Sequence, residues 1–384
     1  MYNDLISFIK NWYKTDEYIP LHEPRFDETD KKYLLDAVDS TFVSSVGKYV
    51  DQFERGVSTY LGVKRAVATV NGTAALQVAL RLAGVKKGDE VITQPLTFIA
   101  TANAIAYNRA TPIFVDVNRE TLGLCPDALD NFLRNNAQER GGKTFNKISG
   151  KQISAVVPMH TFGHPCKMSQ IKNIAQKWNI SVVEDAAESL GSKLSDKHCG
   201  TYGELGVLSF NGNKIVTCGG GGAIVTNNDS LADMAKHLTT TAKVAHPWEY
   251  VHDEIGYNYR MPNLNAALAN AQIGKLDVFL ADKRDLANSY KDFFSTREWG
   301  EFFNEPSQCR SNYWLNAVIT KDRYGRDTLL KATNNAGVMT RPVWQLISDL
   351  DMYKNCQKGD LKNARWLQER IVNLPSSARI NEQG

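Results

Sequence analysis

No stretch of the chain reaches the ~18 uncharged apolar residues that a membrane-crossing helix needs, so nothing in it reads as a transmembrane span. An apolar segment behind a basic start is missing too. Asp4, Lys10, Lys14, Asp16 and Glu17 fall early in the chain, which speaks against a secretion signal and makes the cytoplasm the expected compartment. The six cysteines, at 125, 166, 199, 218, 309 and 356, include no CxxC pair, and such scatter fits reduced thiols better than a zinc ribbon or a disulfide framework. Charge of one sign is also scarce: 45 Lys and Arg against 42 Asp and Glu leave +3. A surplus that small gives no electrostatic case for nucleic acid or an anionic membrane as the main partner. Internal repeats and low-complexity tracts are absent. What remains is 384 residues, 42% hydrophobic and 23% charged, the balance of a soluble globular protein with room for two or three structural units.

Short β-branched runs alternate with segments of helical period from about residue 65 to 226, the pattern of a parallel sheet covered on both faces. The runs are RAVATV (65–70), EVIT (90–93), TPIFVDV (111–117), ISAVVP (153–158), ISVVED (180–185), LGVLSF (205–210) and AIVT (223–226). Residues 73–84, 98–108, 126–136 and 169–178 have the length and apolar spacing of crossover helices, and 229–242 and 263–293 are helical again. The stretch 138–150 has three glycines and no periodicity, which predicts a surface loop. The expected division is an N-terminal extension (1–19), a large α/β domain (20–280) and a smaller α+β domain (281–384).

Ligands of an open parallel sheet bind at the carboxyl ends of its strands, and four of those ends carry suggestive polar residues. In VNGTAAL the chain turns at Asn71 and Gly72, and Thr73 and Ala74 open a helix whose free amides suit a phosphate; an ordinary capped turn looks the same. Asp185 ends a strongly apolar run, where a carboxylate needs several donors or a cationic partner such as a pyridinium nitrogen to stay ionised, or serves as a helix cap. Lys214 follows the LGVLSF run and precedes four glycines, 219–222. Pressed against protein, such a lysine has the lowered pKa of an amine nucleophile, although most lysines are solvated surface charges. Phe98 opens a crossover helix, where its ring serves a flat heteroaromatic ligand or the core. Phosphate cradle, ring-nitrogen partner, stacking face and amine at one sheet edge are together what pyridoxal 5′-phosphate asks for.

These residues sit in a longer set of strings: SSVGKYVDQFE (44–54), VNGTAAL, VEDAAES, SFNGNK with the glycine run, and GYNYRMPNLNAAL (256–268). From about Ile19 to the C-terminal region the chain resembles the DegT/DnrJ/EryC1/StrS sugar aminotransferases. The resemblance implies the α/β fold type I of pyridoxal phosphate enzymes, with a mostly parallel seven-stranded sheet between helices and a small C-terminal domain. It makes Lys214 the lysine that binds the cofactor covalently and shuttles the proton, Asp185 the partner of the ring nitrogen and Phe98 the stacking ring. Gly72, Thr73, Ala74 and Ser209 would hold the phosphate, joined by Asn258 from a second subunit, which implies a homodimer with shared active sites. Glu188 departs from the commoner Gln or His at its position; beside the cofactor's phenolic oxygen it has to be protonated or bond through water.

Strings such as VPMHTFGHPC are most similar to the branch that aminates UDP-linked 4-keto-6-deoxy-N-acetylhexosamines for legionaminic acid or bacillosamine, with L-glutamate as donor. Candidate contacts to the nucleotide sugar are His160, His164, Lys243, Arg260, Tyr313 and Arg341. No metal is implied. Two rival readings are a metal hydrolase built on His160, His164 and Cys166, with His198 and Cys199, and a family homologue without turnover.

Overall fold

A computed structural model describes residues 2–379; residues 380–384, the end of the expected small domain, lie outside the described residues. The seven β-branched runs become the strands of one sheet: β1 (Arg65–Thr69), β2 (Glu90–Thr93), β3 (Thr111–Phe114), β4 (Ile153–Val157), β5 (Ser181–Asp185), β6 (Leu205–Ser209) and β7 (Gly222–Thr226). Their spatial order is β1-β7-β6-β5-β4-β2-β3. From β6 to β3 every neighbour is parallel, whereas β7 runs antiparallel to both β1 and β6. All strands but β7 therefore point one way, and the carboxyl ends of β1, β2, β5 and β6 share one edge.

Helices α1 (Asn3–Tyr13), α2 (Glu28–Asp39) and α3 (Lys48–Leu61) precede the sheet. Crossovers are α4 (Gly72–Leu82), α5 (Ile99–Tyr107), α6 (Pro126–Asn136) and α7 (Met168–Lys177). Then come α8 (Asp229–Thr239), α9 (Asn263–Ile273) and α10 (Leu276–Phe294). One sheet face buries Val91, Val157, Val183 and Val207 against Leu76, Leu80, Ile105 and Ala235 of α4, α5 and α8. The other face packs Ile92, Val156 and Val182 on α6 and α7, and Ala66, Leu208 and Val225 on α3 and α9. Apolar cover on both faces is why β2, β4 and β7 are buried from end to end and read as continuous apolar runs. After α10 the chain forms a second, antiparallel sheet from β8 (Gly300–Phe302), β9 (Asn316–Thr320), β10 (Arg341–Pro342) and β11 (Ile371–Leu374), in the order β8-β9-β11-β10.

Several expectations change. The stretch expected as a loop at 138–150 holds a hairpin, Ala137–Arg140 paired with Lys143–Asn146. Gly141 and Gly142, at φ 56° and 73°, make the two-residue turn that matches strand twist, a signal stronger than missing periodicity. The helix expected over 263–293 breaks at Gly274, where helix propensity is low, and Lys275 turns toward Asp27 (3.0 Å) and Asp30. α10 also serves two cores: Leu276 and Phe279 pack with the large sheet's cluster, and Leu286, Tyr290 and Phe294 with that of the second sheet. The division placed between 280 and 281 thus falls inside a helix. Among the described residues, no helix is long and apolar enough to cross a membrane.

Candidate active site

The strand exits build the site in turn. Beyond β1, Asn71 caps α4: its side-chain oxygen accepts the Ala74 amide at 2.8 Å, and its carbonyl accepts the Ala75 amide. Ala74, expected to hold a phosphate, is thus already satisfied. The Gly72 and Thr73 amides have no internal partner among the described residues and carry the positive end of the helix dipole. Ser209, at the end of β6, stands beside them; a Cβ on Gly72 would lie 3.4 Å from its hydroxyl oxygen. Gly222 opens β7 opposite both Thr69 and Ser209. A Cβ there would come within 2.5 Å of the Asn71 backbone, so a larger residue would push the turn off the sheet.

Asp185 ends β5, is 3% exposed, and accepts the Thr101 hydroxyl at 2.7 Å and the Ala187 amide at 3.2 Å. Burial pushes its carboxyl above the ordinary value, and those two donors with the Lys214 charge pull it back. A buried acid so placed gains from a cation delivered by a ligand. Thr97 extends the chain, its hydroxyl 2.9 Å from that of Thr101. Phe98, one residue on, is half exposed.

Lys214 sits on the turn after β6. Its ammonium lies 3.6 Å from Glu188 and 3.9 Å from the centre of the Trp314 ring, which in turn donates its indole N–H to the Asn213 carbonyl at 2.7 Å. Glu188 is buried and its second oxygen accepts the Phe162 amide at 2.9 Å. Burial raises its carboxyl to about 7, against the opposing pull of Lys214.

Lys214, Glu188 and Asp185 therefore converge, as do Gly72, Thr73 and Ser209. The expected sugar contacts do not. His160 is fully buried: Nε2 meets Glu184 at 3.0 Å and Nδ1 meets the Cys166 amide at 3.0 Å, so both ring nitrogens are spent inside the core. His164 is buried between Phe303 and Tyr313, and Tyr313 is itself interior, its hydroxyl accepting the Glu305 amide. These three are core side chains, which corrects their reading as substrate contacts. Lys243 lies over Tyr250 on an exposed hairpin, Arg260 bonds to Asn258 at 3.0 Å, and Arg341 bonds to Asn334 and Thr340 of its own chain. Asn258 is exposed, beside Tyr259, whose carbonyl accepts the Val70 amide at the exit of β1. Among the described residues no three or more His, Cys, Asp or Glu are grouped to hold a metal ion.

Sequence reasoning missed Thr101 and Trp314. Thr101 lies one helical turn beyond Phe98, a spacing that places it on the same face and was open to notice. Trp314 comes from a segment 100 residues from Lys214 in sequence, and no local pattern announces it.

The residues present fit pyridoxal phosphate: two free amides and a hydroxyl for the phosphate, a buried acid for the ring nitrogen and an enclosed lysine for the aldehyde. The sequence matches the DegT/DnrJ/EryC1/StrS aminotransferase family over residues 24–384. It is 37% identical to the GDP-perosamine synthase of Escherichia coli O157:H7, over 96% of each chain. It is 33% identical to that of Vibrio cholerae, over 93% of this chain and 94% of the relative. Helicobacter pylori PseC, an aminotransferase involved in the biosynthesis of pseudoaminic acid, superposes with a TM-score of 0.86 at 22% identity, over 96% of each chain. The aminotransferase TlmJ of Streptoalloteichus hindustanus gives 0.86 at 25%, over 95% of each. The chain belongs to the DegT/DnrJ/EryC1/StrS family and is a pyridoxal phosphate-dependent sugar aminotransferase of fold type I.

Proposed function

We propose that the protein transfers the amino group of L-glutamate to the keto carbon of a nucleotide-linked 4-keto-6-deoxy sugar destined for a surface glycan. The observation that carries this reading is the meeting of Lys214 and Asp185 at one sheet edge beside an anion cradle. When bound, pyridoxal phosphate supplies the aldehyde that carries the amino group and a ring that takes up electron density. Lys214 holds the cofactor covalently and, once displaced by the donor, takes the proton from the donor's α-carbon with its Nζ. Asp185 keeps the ring nitrogen protonated, with Thr101 fixing the orientation of its carboxylate. Gly72, Thr73 and Ser209 bind the phosphate, Phe98 lies on the ring face, and Asn258 reaches the phosphate of a partner subunit. The homodimer this requires is supported by exposed apolar side chains on α2 and the loop after it, including Leu35, Val38, Phe42 and Val46.

The strings quoted above favour a UDP-linked N-acetylhexosamine. A second reading, a GDP-linked sugar, is favoured by two relatives named GDP-perosamine synthase. Both fall within the same reaction class. The test loads the protein with pyridoxal phosphate, adds glutamate, and offers the product UDP- and GDP-linked 4-keto-6-deoxy sugars, reading the new C4 centre by NMR. The visible band should bleach with glutamate and return with one of the two sugars. Lys214→Ala should lower turnover at least ~1,000-fold. A wild-type protein that binds no cofactor, or a Lys214→Ala variant with normal turnover, would refute the reading.

A further inference from the structure

We propose that Glu188 is the proton partner of Lys214: the two form an ammonium–carboxylate pair in the cofactor-free protein, and the proton passes from Nζ to the carboxylate when the lysine has to act as a neutral amine. This deepens the transaminase reading and rests on it. The step balances without any other reactant, since an ammonium and a carboxylate become an amine and a carboxylic acid.

The geometry singles out Glu188. Its carboxylate is the one acid within ion-pair distance of the Lys214 ammonium among the described residues, at 3.6 Å, one small side-chain rotation from hydrogen-bond distance. The other side of the ammonium faces the Trp314 ring at 3.9 Å, which offers no site for a proton. Glu188 is also held in an aimed position. One oxygen accepts the Phe162 amide at 2.9 Å, which leaves the other toward the lysine. Phe162 holds that amide in place at φ 56°, in the left-handed region that side chains other than glycine rarely adopt. Asp185 is the neighbouring acid, but among the described residues it lies beyond ion-pair distance of the lysine, its carboxylate oriented by the Thr101 hydroxyl and the Ala187 amide.

The charged and titratable groups that face the pair are Asp185 from β5 and His22 from the segment before α2. Asp185 and burial both favour a protonated Glu188, whereas Lys214 and the Phe162 amide favour the ionised form. Their balance sets the carboxyl at about 7, so near neutral pH neither protonation state is far from the other. A general acid–base partner works best in that range.

The test uses the full-length protein freed of cofactor. Lys214 is acylated competitively with acetic anhydride across a pH series, and the modified peptide is quantified by mass spectrometry. Glu188→Gln keeps the volume and the oxygen that accepts the Phe162 amide but removes the charge. Its Lys214 midpoint should fall by at least about one pH unit, a roughly tenfold faster acylation below the wild-type midpoint. Glu188→Met should shift it likewise, so either neutral variant suffices if the other does not fold. Glu188→Asp should keep the midpoint near the wild-type position. Midpoints in the neutral variants equal to wild type would overturn the proposal. Failure of the transaminase reading shows separately: pyridoxal phosphate would then not protect Lys214 in the wild-type protein, a result independent of the variants' midpoints.

Discussion

Single residues here are legible where a local rule marks them. Asp185, Ser209 and Lys214 follow apolar strands, and the ends of parallel strands are where polar groups become useful. His160, His164 and Tyr313 look equally polar in sequence, yet their neighbours in space enclose them, and nothing in VPMHTFGHPC announces that. His164 has a measurable consequence. Both its ring nitrogens are buried without a hydrogen-bond partner among the described residues, and burial lowers its pKa to about 3. The folded protein therefore leaves this ring neutral while the unfolded chain protonates it below a pH of about 6.5. Above that pH the site adds no pH dependence; as pH falls, stability is lost at about 1.4 kcal/mol per pH unit until the folded ring itself titrates. His164→Leu removes the proton uptake. Denaturant unfolding at a series of values from about pH 5 to about pH 7 should give a variant curve flatter by that slope on the acid side. Parallel wild-type and variant curves would show that the folded ring takes up its proton normally.

Among the elements, all seven sheet strands and the four crossover helices are visible in the sequence because burial on both faces writes an apolar run and a helical stripe writes its period. Two features that sequence reasoning lost depend on one or two residues: the Gly141–Gly142 turn and the break at Gly274. α1 lies in the expected N-terminal extension, and what the sequence hides is where it packs. The extension lies outside the family match, and the surface that it covers belongs to residues nearly the whole chain away. Leu5 and Ile9 are fully buried against a cluster that includes Tyr290, Phe294 and Phe302, and Tyr2 meets Trp299 edge to face at 4.8 Å. Asp4 adds an ion pair to Arg297 at 2.7 Å, and Tyr13 donates to the Ser377 carbonyl at 3.1 Å. α1 is thus part of the second sheet's core. Truncating one such side chain, Leu5→Ala, should cost about 2–5 kcal/mol of stability, read as a lower denaturation midpoint, while turnover per folded molecule stays at the wild-type value. A loss below ~1 kcal/mol would mean that α1 is not cooperative with that core.

At the scale of the whole molecule, the proposed homodimer rests on exposed apolar surface. The exposed apolar residues Leu35, Val38, Phe42 and Val46 of α2 and the following loop each leave more than half of their surface uncovered. Trp248, Tyr250 and Ile255 project from the 243–255 region, each more than three-quarters exposed. Large apolar side chains clustered in this way mark an association surface. Asn258 adds a directional element, because it is exposed at the end of this region, while its neighbour Tyr259 is tied to the exit of β1. If Asn258 completes the partner's phosphate cradle, each site takes its lysine from one chain and its asparagine from the other, in a twofold assembly. Lys214→Ala and Asn258→Ala proteins are each defective at both sites of their own dimers. In a hybrid, the site holding the intact lysine receives the intact asparagine from the other chain, and the second site receives neither. Random exchange of equal amounts makes about half of the dimers hybrids with one working site each, so turnover should recover to about a quarter of the wild-type value. Exchange is followed by native mass spectrometry. Hybrids that form and stay inactive would mean that each chain supplies its own asparagine, and the surface around Trp248 and Tyr250 would then have to be explained without a shared site.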